Sequence, residues 1–324
     1  MRMPAEWAPH ERTLMAWPCR EELWGDLIEK ARREHAAVAN AIAAFETVTM
    51  VCNPGPQAAM ARIACTDNVE IVELEIDDSW VRDSGPIFVR GDGAERVGVH
   101  FRFNAWGEKF TPYDNDEEAG GVLAEVYGDR VVEAPFVLEG GSIGVDGEGL
   151  LITTEECLLH PNRNPSMSRE EIEAGLIEYL GPDQVVWLDK GLSEDRDTDG
   201  HVDLIAAFNA PGQVLLQMGP PGTEDEERME ANRERLEKAK IAVRRMDVLP
   251  HVDVNGETIA VSHMNFTLAN GAVIVPVAGV ETDDRALRVI GDAYPGREVV
   301  GVNCTTLAYG GGGPHCITQQ VPAR

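Results

Sequence analysis

Apolar and polar positions along this chain follow two rhythms that trade places at regular intervals. Segments of helical spacing centre near Met60, Gly121, Ala174, Asn232 and Arg288, and each is followed by a β-branched run, over residues 69–74, 130–138, 184–188, 241–246 and 298–302. Ser168 with Glu171, and Thr223 with Glu226, read as capping boxes, and the helix opened by Ser168 ends at Gly181 and Pro182. Thr282 reads as the N-cap of the last helix, which stops at Pro295. The helix centres recur about every 57 residues, and short strands such as 98–101 and 214–216 complete most units.

Units of helix, strand, polar turn and strands cannot bury their faces alone, and closing them around an axis solves that problem. The pattern therefore predicts an α/β fold, a five-bladed α/β propeller of pseudo-fivefold repeats around a central active site. A further helix over 21–45 is expected to pack outside the ring. No proline-rich or low-complexity linker interrupts the series, so residues 1–324 read as a single domain.

A polar stretch occupies the same point of every unit: residues 80–86, 138–142, 197–203, 262–265 and 310–316. Around an axis these stretches would meet, and would bring Asp, Glu, His, Asp and Cys side chains to one mouth, as an active site requires.

Composition narrows the function. Hydrophobic residues at 43% and charged residues at 26% are those of a folded globular chain. The 28 basic and 56 acidic side chains give a net charge of −28, which excludes a nucleic-acid grip on a general basic surface and favours small cations over anionic substrates. No apolar run approaches the roughly 18 residues of a spanning helix, and residues 1–11 lack the apolar stretch of a secretory signal. A cytoplasmic protein is expected. The six cysteines form no C-x-x-C pair and are expected to be reduced.

Cys316 stands out because Gly310–Gly313, Pro314 and His315 precede it where a loop meets a strand, a setting in which backbone can approach a ligand and a thiolate can act. The other five cysteines read as small buried hydrophobes. His201 and Asp203 are two apart and would share one face of a strand, as an acid–base group and a cation anchor, or equally as a core histidine held by a carboxylate. Asp83, ahead of Gly85 and Pro86, suits either a site or the capping of turn amides. Glu139 ends the apolar run 134–138 before Gly140 and Gly141, so it is expected to be partly buried and either paired with a cation or raised in pKa.

Residues 195–200 imitate the start of an EF-hand loop, but Ala206 stands at its twelfth position, where a carboxylate is needed. A metal site of His201, Asp203 and His263 lacks ligand spacing on any one element, and no metal is expected. The acidic run 224–227 and the cluster Glu170, Glu171 and Glu173 read as solvated helix faces.

The motifs at 3–10, 78–83 (Asp-Ser-Trp-Val-Arg-Asp), 103–107, 138–142 (Leu-Glu-Gly-Gly-Ser), 154–158, 199–203 (Asp-Gly-His-Val-Asp) and 315–319 (His-Cys-Ile-Thr-Gln) resemble, in order and across nearly the whole chain, the agmatine deiminase family. That family is related to bacterial peptidyl-arginine deiminases within the guanidine-modifying superfamily. The resemblance implies a five-bladed α/β propeller, Cys316 as the nucleophile, Asp83 and Asp203 holding the guanidinium, and Glu139 and His201 moving protons. It also implies a small cationic guanidino substrate, no cofactor, and a homodimer or larger assembly. By the same resemblance Asp197 would face the substrate's distal amine, and Trp80 would line its alkyl chain. The sequence departs from the family's habit at His263, Thr267, Pro314 and residues 276–279.

Hydrolysis of agmatine to N-carbamoylputrescine and ammonia is the leading expectation. A deiminase for another guanidino compound or for arginine in peptides, and an amidinotransferase, stay open. So does a non-catalytic binding protein on the same scaffold, although it has no need for Cys316, His201 and Glu139 together.

Overall fold

Five sheets of the computed structural model, which describes all 324 residues, share one local topology. In each, two antiparallel strands are extended by a third that runs parallel to its neighbour and is reached through a helix, the crossover that parallel pairing demands. Ile87–Arg90, Arg96–Arg102 and Arg130–Val137 form one such sheet, with helix Asp114–Tyr127 between its last two strands. The next comprises Ile143–Val145, Leu150–Thr154 and Gln184–Leu188 with helix Arg169–Leu180. Ala206–Ala210, Gln213–Gln217 and Ala242–Met246 with helix Glu224–Lys238 repeat the pattern. So do Thr267–Ala269, Ala272–Val277 and Glu298–Asn303 with helix Asp283–Ala293.

The fifth sheet joins the two ends of the chain: Thr318–Pro322 pairs antiparallel with His10–Ala16, and Thr47–Cys52 and Val69–Glu73 follow in parallel. This sheet has two crossovers, Ile28–Ala43 and Pro56–Ala64. The helix expected over 21–45 is thus no external addition. It breaks into Glu21–Trp24, a turn at Gly25 with φ +48°, and Ile28–Ala43, whose Val38, Ala39 and Ile42 are fully buried beside the sheet.

Strands buried on both faces read as continuous apolar runs, which is why Ala272–Pro276 is wholly buried. The largest apolar cluster includes Trp17, Trp24, Ile42, Met50 and Leu307, and it extends to Trp80, Trp106 and Cys316. The wall of the site is therefore continuous with the core, which fixes its side chains by packing.

The caps hold with two changes. Ser168 and Glu171 form the full reciprocal box, whereas Thr223 accepts from the Glu226 amide while the Glu226 carboxylate turns to the Gly222 amide. Thr282 caps nothing with its side chain; Asp283 instead accepts from the amides of Ala278, Gly279 and Val280. Within the acidic run 224–227, Asp225 is buried and accepts from the Ser193 amide, so that stretch is not purely a solvated face. All six cysteines are free thiols, and no helix is long and apolar enough to cross a membrane. A hairpin absent from the sequence reading, His251–Val254 with Glu257–Ala260, stands apart from the five sheets and is held by Glu194 through His251 and the Ala260 amide.

Candidate active site

Direct contacts link all five polar stretches of the sequence into one set. The Gly141 amide donates to Asp83 Oδ1 at 2.9 Å, Cys316 Sγ lies 3.4 Å from Asp203 Oδ2, and Asn265 Oδ1 accepts from the Cys316 amide at 3.2 Å. Asp83 sits in the short helix Val81–Ser84, and its second oxygen accepts from Trp106 Nε1 at 2.9 Å. It is therefore no ordinary turn cap. Both of its bonds aim the carboxylate inward, at 3.9 Å from His201 Nδ1.

Gly141 shows how tightly these groups converge. A Cβ built there would lie 2.7 Å from His201 Nδ1 and 2.8 Å from both Asp203 Oδ2 and Asp83 Oδ1, so only glycine leaves the three polar atoms room to face one point. Gly312 plays the same part on the opposite side, where a Cβ would meet the Trp80 ring at 2.7 Å and Cys316 Sγ at 2.9 Å.

His201 and Asp203 reach the site, but not as neighbours on a strand. His201 is extended, with ψ 138°, and Asp203 lies in the single 3₁₀ turn Val202–Leu204 that follows. The loop before them is self-sufficient. Asp195 accepts from the amides of Thr198, Gly200 and His201, and Asp199 from Lys109, Asn162 and Arg163. The residues that imitate a calcium loop thus spend these carboxylates on the protein itself.

Glu139 is fully buried and paired: Arg163 Nε donates to its Oε1 at 2.5 Å, and Arg163 continues to Asp199 and the Thr198 carbonyl. Cation pairing, one of the readings left open for Glu139, is present. Its Oε2, both ring nitrogens of His201 and Asp203 Oδ1 are buried without partners, a costly arrangement unless a polar ligand completes it.

The electrostatics are unusual for exposed groups and ordinary for a site. Burial, against the pull of His201 and with repulsion from Asp203 and Glu139 adding to it, pushes the Asp83 carboxyl up to about 6. Burial, with Asp203 and Asp83 alongside, holds the Cys316 thiol well above its ordinary value. Burial opposes ionisation of Asp203, but the His315 hydrogen bond and the charges of His315, His201 and Arg82 overcome it and lower its pKa.

A cleft of about 320 Å³ opens over Cys316, with walls that include Trp80, Asp83, Trp106, Phe110 and Asp197. Trp80 and Asp197 thus line the same cleft as Cys316. Trp80 is backed by Trp24, its ring stacked at 5.9 Å. The cleft contains three aspartates, Asp78, Asp83 and Asp197, and no basic side chain lines it. Burial raises the pKa of Asp197, with Asp195 adding to the effect, and moves Asp78 up to about 6 against the pull of Arg20.

The chain matches the family profile of Porphyromonas-type peptidyl-arginine deiminase over residues 2–322. It belongs to that family. Among curated relatives, agmatine deiminase of Stutzerimonas stutzeri is 42% identical across 99% of this chain and 95% of that protein, and agmatine deiminase of Ectopseudomonas mendocina is 40% identical across 99% and 95%. The solved structure of agmatine deiminase from Enterococcus faecalis superposes with a TM-score of 0.93 at 35% identity, covering 100% of this chain and 96% of that one. Membership of the family agrees with the motif resemblance, and the four departures noted in sequence lie off the cleft walls. His263 pairs with Asp283 at 2.8 Å, and Thr267 accepts from Thr318.

Several participants escaped the sequence reading as site residues: Arg163, Trp106, Asn265, Asp78, His315 and Glu6. The histidine set considered for a metal does not assemble, since His263 is committed to Asp283. Glu139, Cys157 and His201 do bring potential ligand atoms within 4.8 Å of one another, but Arg163 already supplies the positive charge at Glu139.

Proposed function

We propose that this deiminase-family chain hydrolyses agmatine to N-carbamoylputrescine and ammonia, with residues 1–324 acting as one catalytic domain. The observation that carries the reading is the convergence of Asp83, Asp203 and His201 beside Cys316 at a cleft whose charged lining is entirely acidic. Five repeats of one sheet topology, with their polar loops linked into one set, support a five-bladed propeller around that point.

A planar guanidinium suits two carboxylates, which orient it by paired charge-assisted hydrogen bonds and set its central carbon against Sγ. The buried thiol gains what it lacks from the same cation: a positive charge that lets the thiolate form. Thiolate attack on the guanidinium carbon forms a C–S bond and a tetrahedral adduct. His201 protonates the departing nitrogen, the C–N bond breaks, and ammonia leaves an amidino-thioether on Cys316. Water, deprotonated by His201 with Glu139 beside it, then adds to the same carbon. Breaking the C–S bond releases the ureido product and regenerates the thiolate.

The acidic lining also selects between substrates. Agmatine carries an amine at its far end, which Asp197 attracts, whereas free arginine adds a carboxylate that the same residue repels. Ammonia release from agmatine, free arginine, an arginine peptide and alkylguanidines lacking an amine tests this, with Cys316→Ala as control. Turnover of agmatine ahead of arginine supports the assignment; preference for arginine or its peptide moves the substrate while keeping the chemistry, and silence on all four overturns the deiminase reading.

A further inference from the structure

Both ring nitrogens of His315 face carboxylate oxygens: Nδ1 lies 2.8 Å from Asp203 Oδ2 and Nε2 lies 2.8 Å from Glu6 Oε1. Carboxylates only accept, so a histidine that donates at both nitrogens is an imidazolium. Glu6 comes from the segment before the first strand, 309 residues away in sequence, and is steadied by its own backbone carbonyl accepting from His10 and by Arg82 Nη1 at 3.5 Å. Arg82 also donates from Nε to the His315 carbonyl.

We propose that His315 and Glu6 are positioning residues of the deimination, holding Asp203 as a carboxylate turned so that its Oδ1 edge stays free for the substrate guanidinium. Oδ2 is occupied by His315 and Cys316, while Oδ1 is buried and unpartnered. Without the imidazolium, Asp203 would share a dry pocket with Asp83 and Glu139 and have no cation hydrogen-bonded to it. It would then take up a proton or rotate, and either change spoils the paired recognition of a guanidinium. Glu6 acts one step further out by keeping the imidazolium charged.

The groups that set this titration are Asp203, Glu6 and Arg82 around the ring, Asp83, His201 and Cys316 beyond Asp203, and His10 and Tyr294 near Glu6. Burial and Arg82 disfavour the imidazolium, yet the two carboxylates prevail and raise its pKa, while Glu6 itself drops to about 2. The charge on His315 is therefore held to higher pH than on an ordinary histidine and is lost as pH rises through its raised value.

The inference rests on the deiminase reading for its kinetic arm and on none for its spectroscopic arm. Long-range ¹⁵N-histidine spectra of the full-length protein, titrated without substrate, are expected to show His315 doubly protonated at pH 7, with its transition moved to lower pH in Glu6→Gln. With agmatine, Glu6→Gln should resemble the wild type on the acid side and lose kcat on the alkaline side. His315→Asn, which keeps a donor near Nδ1 without the charge, should lose roughly 10- to 100-fold in kcat/KM. A neutral His315 in the wild type at pH 7, or a Glu6→Gln profile superimposable on the wild type, overturns the proposal. Absence of wild-type ammonia release defeats the deiminase reading instead, and leaves the spectra to decide the state of His315.

Discussion

Cys316 Sγ lies 3.4 Å from Asp203 Oδ2, a thiol packed against the carboxylate that most disfavours its ionisation. A thiol so placed is expected to ionise only when a cation sits beside it. At pH 7.5, neutral iodoacetamide should alkylate Cys316 more slowly than free cysteine, and a cationic amidine alkylator of similar size should outpace it. Peptide mapping of the labelled protein checks this, and a faster reaction with the neutral reagent would mean that the thiolate forms without help.

Asp197 stands in the cleft wall with no side-chain cation bonded to its carboxylate, since Lys109 reaches only its backbone carbonyl. Asp197→Asn should raise KM for agmatine about tenfold and leave kcat/KM for an alkylguanidine without a distal amine nearly unchanged. Equal losses on both substrates would remove Asp197 from the amine end.

Arg163 and Glu139 are both fully buried and bonded at 2.5 Å. Replacing one partner strands the other charge, so Arg163→Met should destabilise the fold by about 3–5 kcal/mol, measured by urea denaturation. A loss near zero would show that water or rearrangement rescues Glu139.

Asp116 offers a stability test away from the chemistry. It accepts from the amides of Asp77 and Asp78, and burial, with Asp78 adding repulsion, pushes its carboxyl up to about 7. A raised folded-state value means that the protonated form favours folding, a contribution complete below the unfolded value near 4 and lost as pH rises through about 7. Asp116→Asn keeps the acceptor and removes the charge. Its melting temperature should equal the wild type's near pH 4 and exceed it at pH 8, and a constant offset across that range would contradict the assignment.

The candidate catalytic residues were legible because each breaks its local pattern at the same point of a repeat: Glu139 ends an apolar run before two glycines, and Cys316 follows four. Periodicity also located the crossover helices and the strands after them. It failed where a contact depends on a loop's path. His201 and Asp203 both reach the site, but through a 3₁₀ turn that no strand rule describes. Arg163 could not be matched to Glu139 from a loop 24 residues on, nor Glu6 to His315 across the whole chain. Trp106 owes its place to left-handed backbone at Ala105 and Trp106 itself, which residue preferences argue against. Helix 21–45 read as one because its apolar spacing continues past Gly25, where the backbone turns.

The most direct test of the account is intact-protein mass spectrometry of enzyme quenched with acid during agmatine turnover, followed by peptide mapping. The account predicts an adduct equal in mass to agmatine less ammonia, located on Cys316 and absent from Cys316→Ala. Turnover with no adduct on Cys316, or with the adduct on another residue, would contradict it.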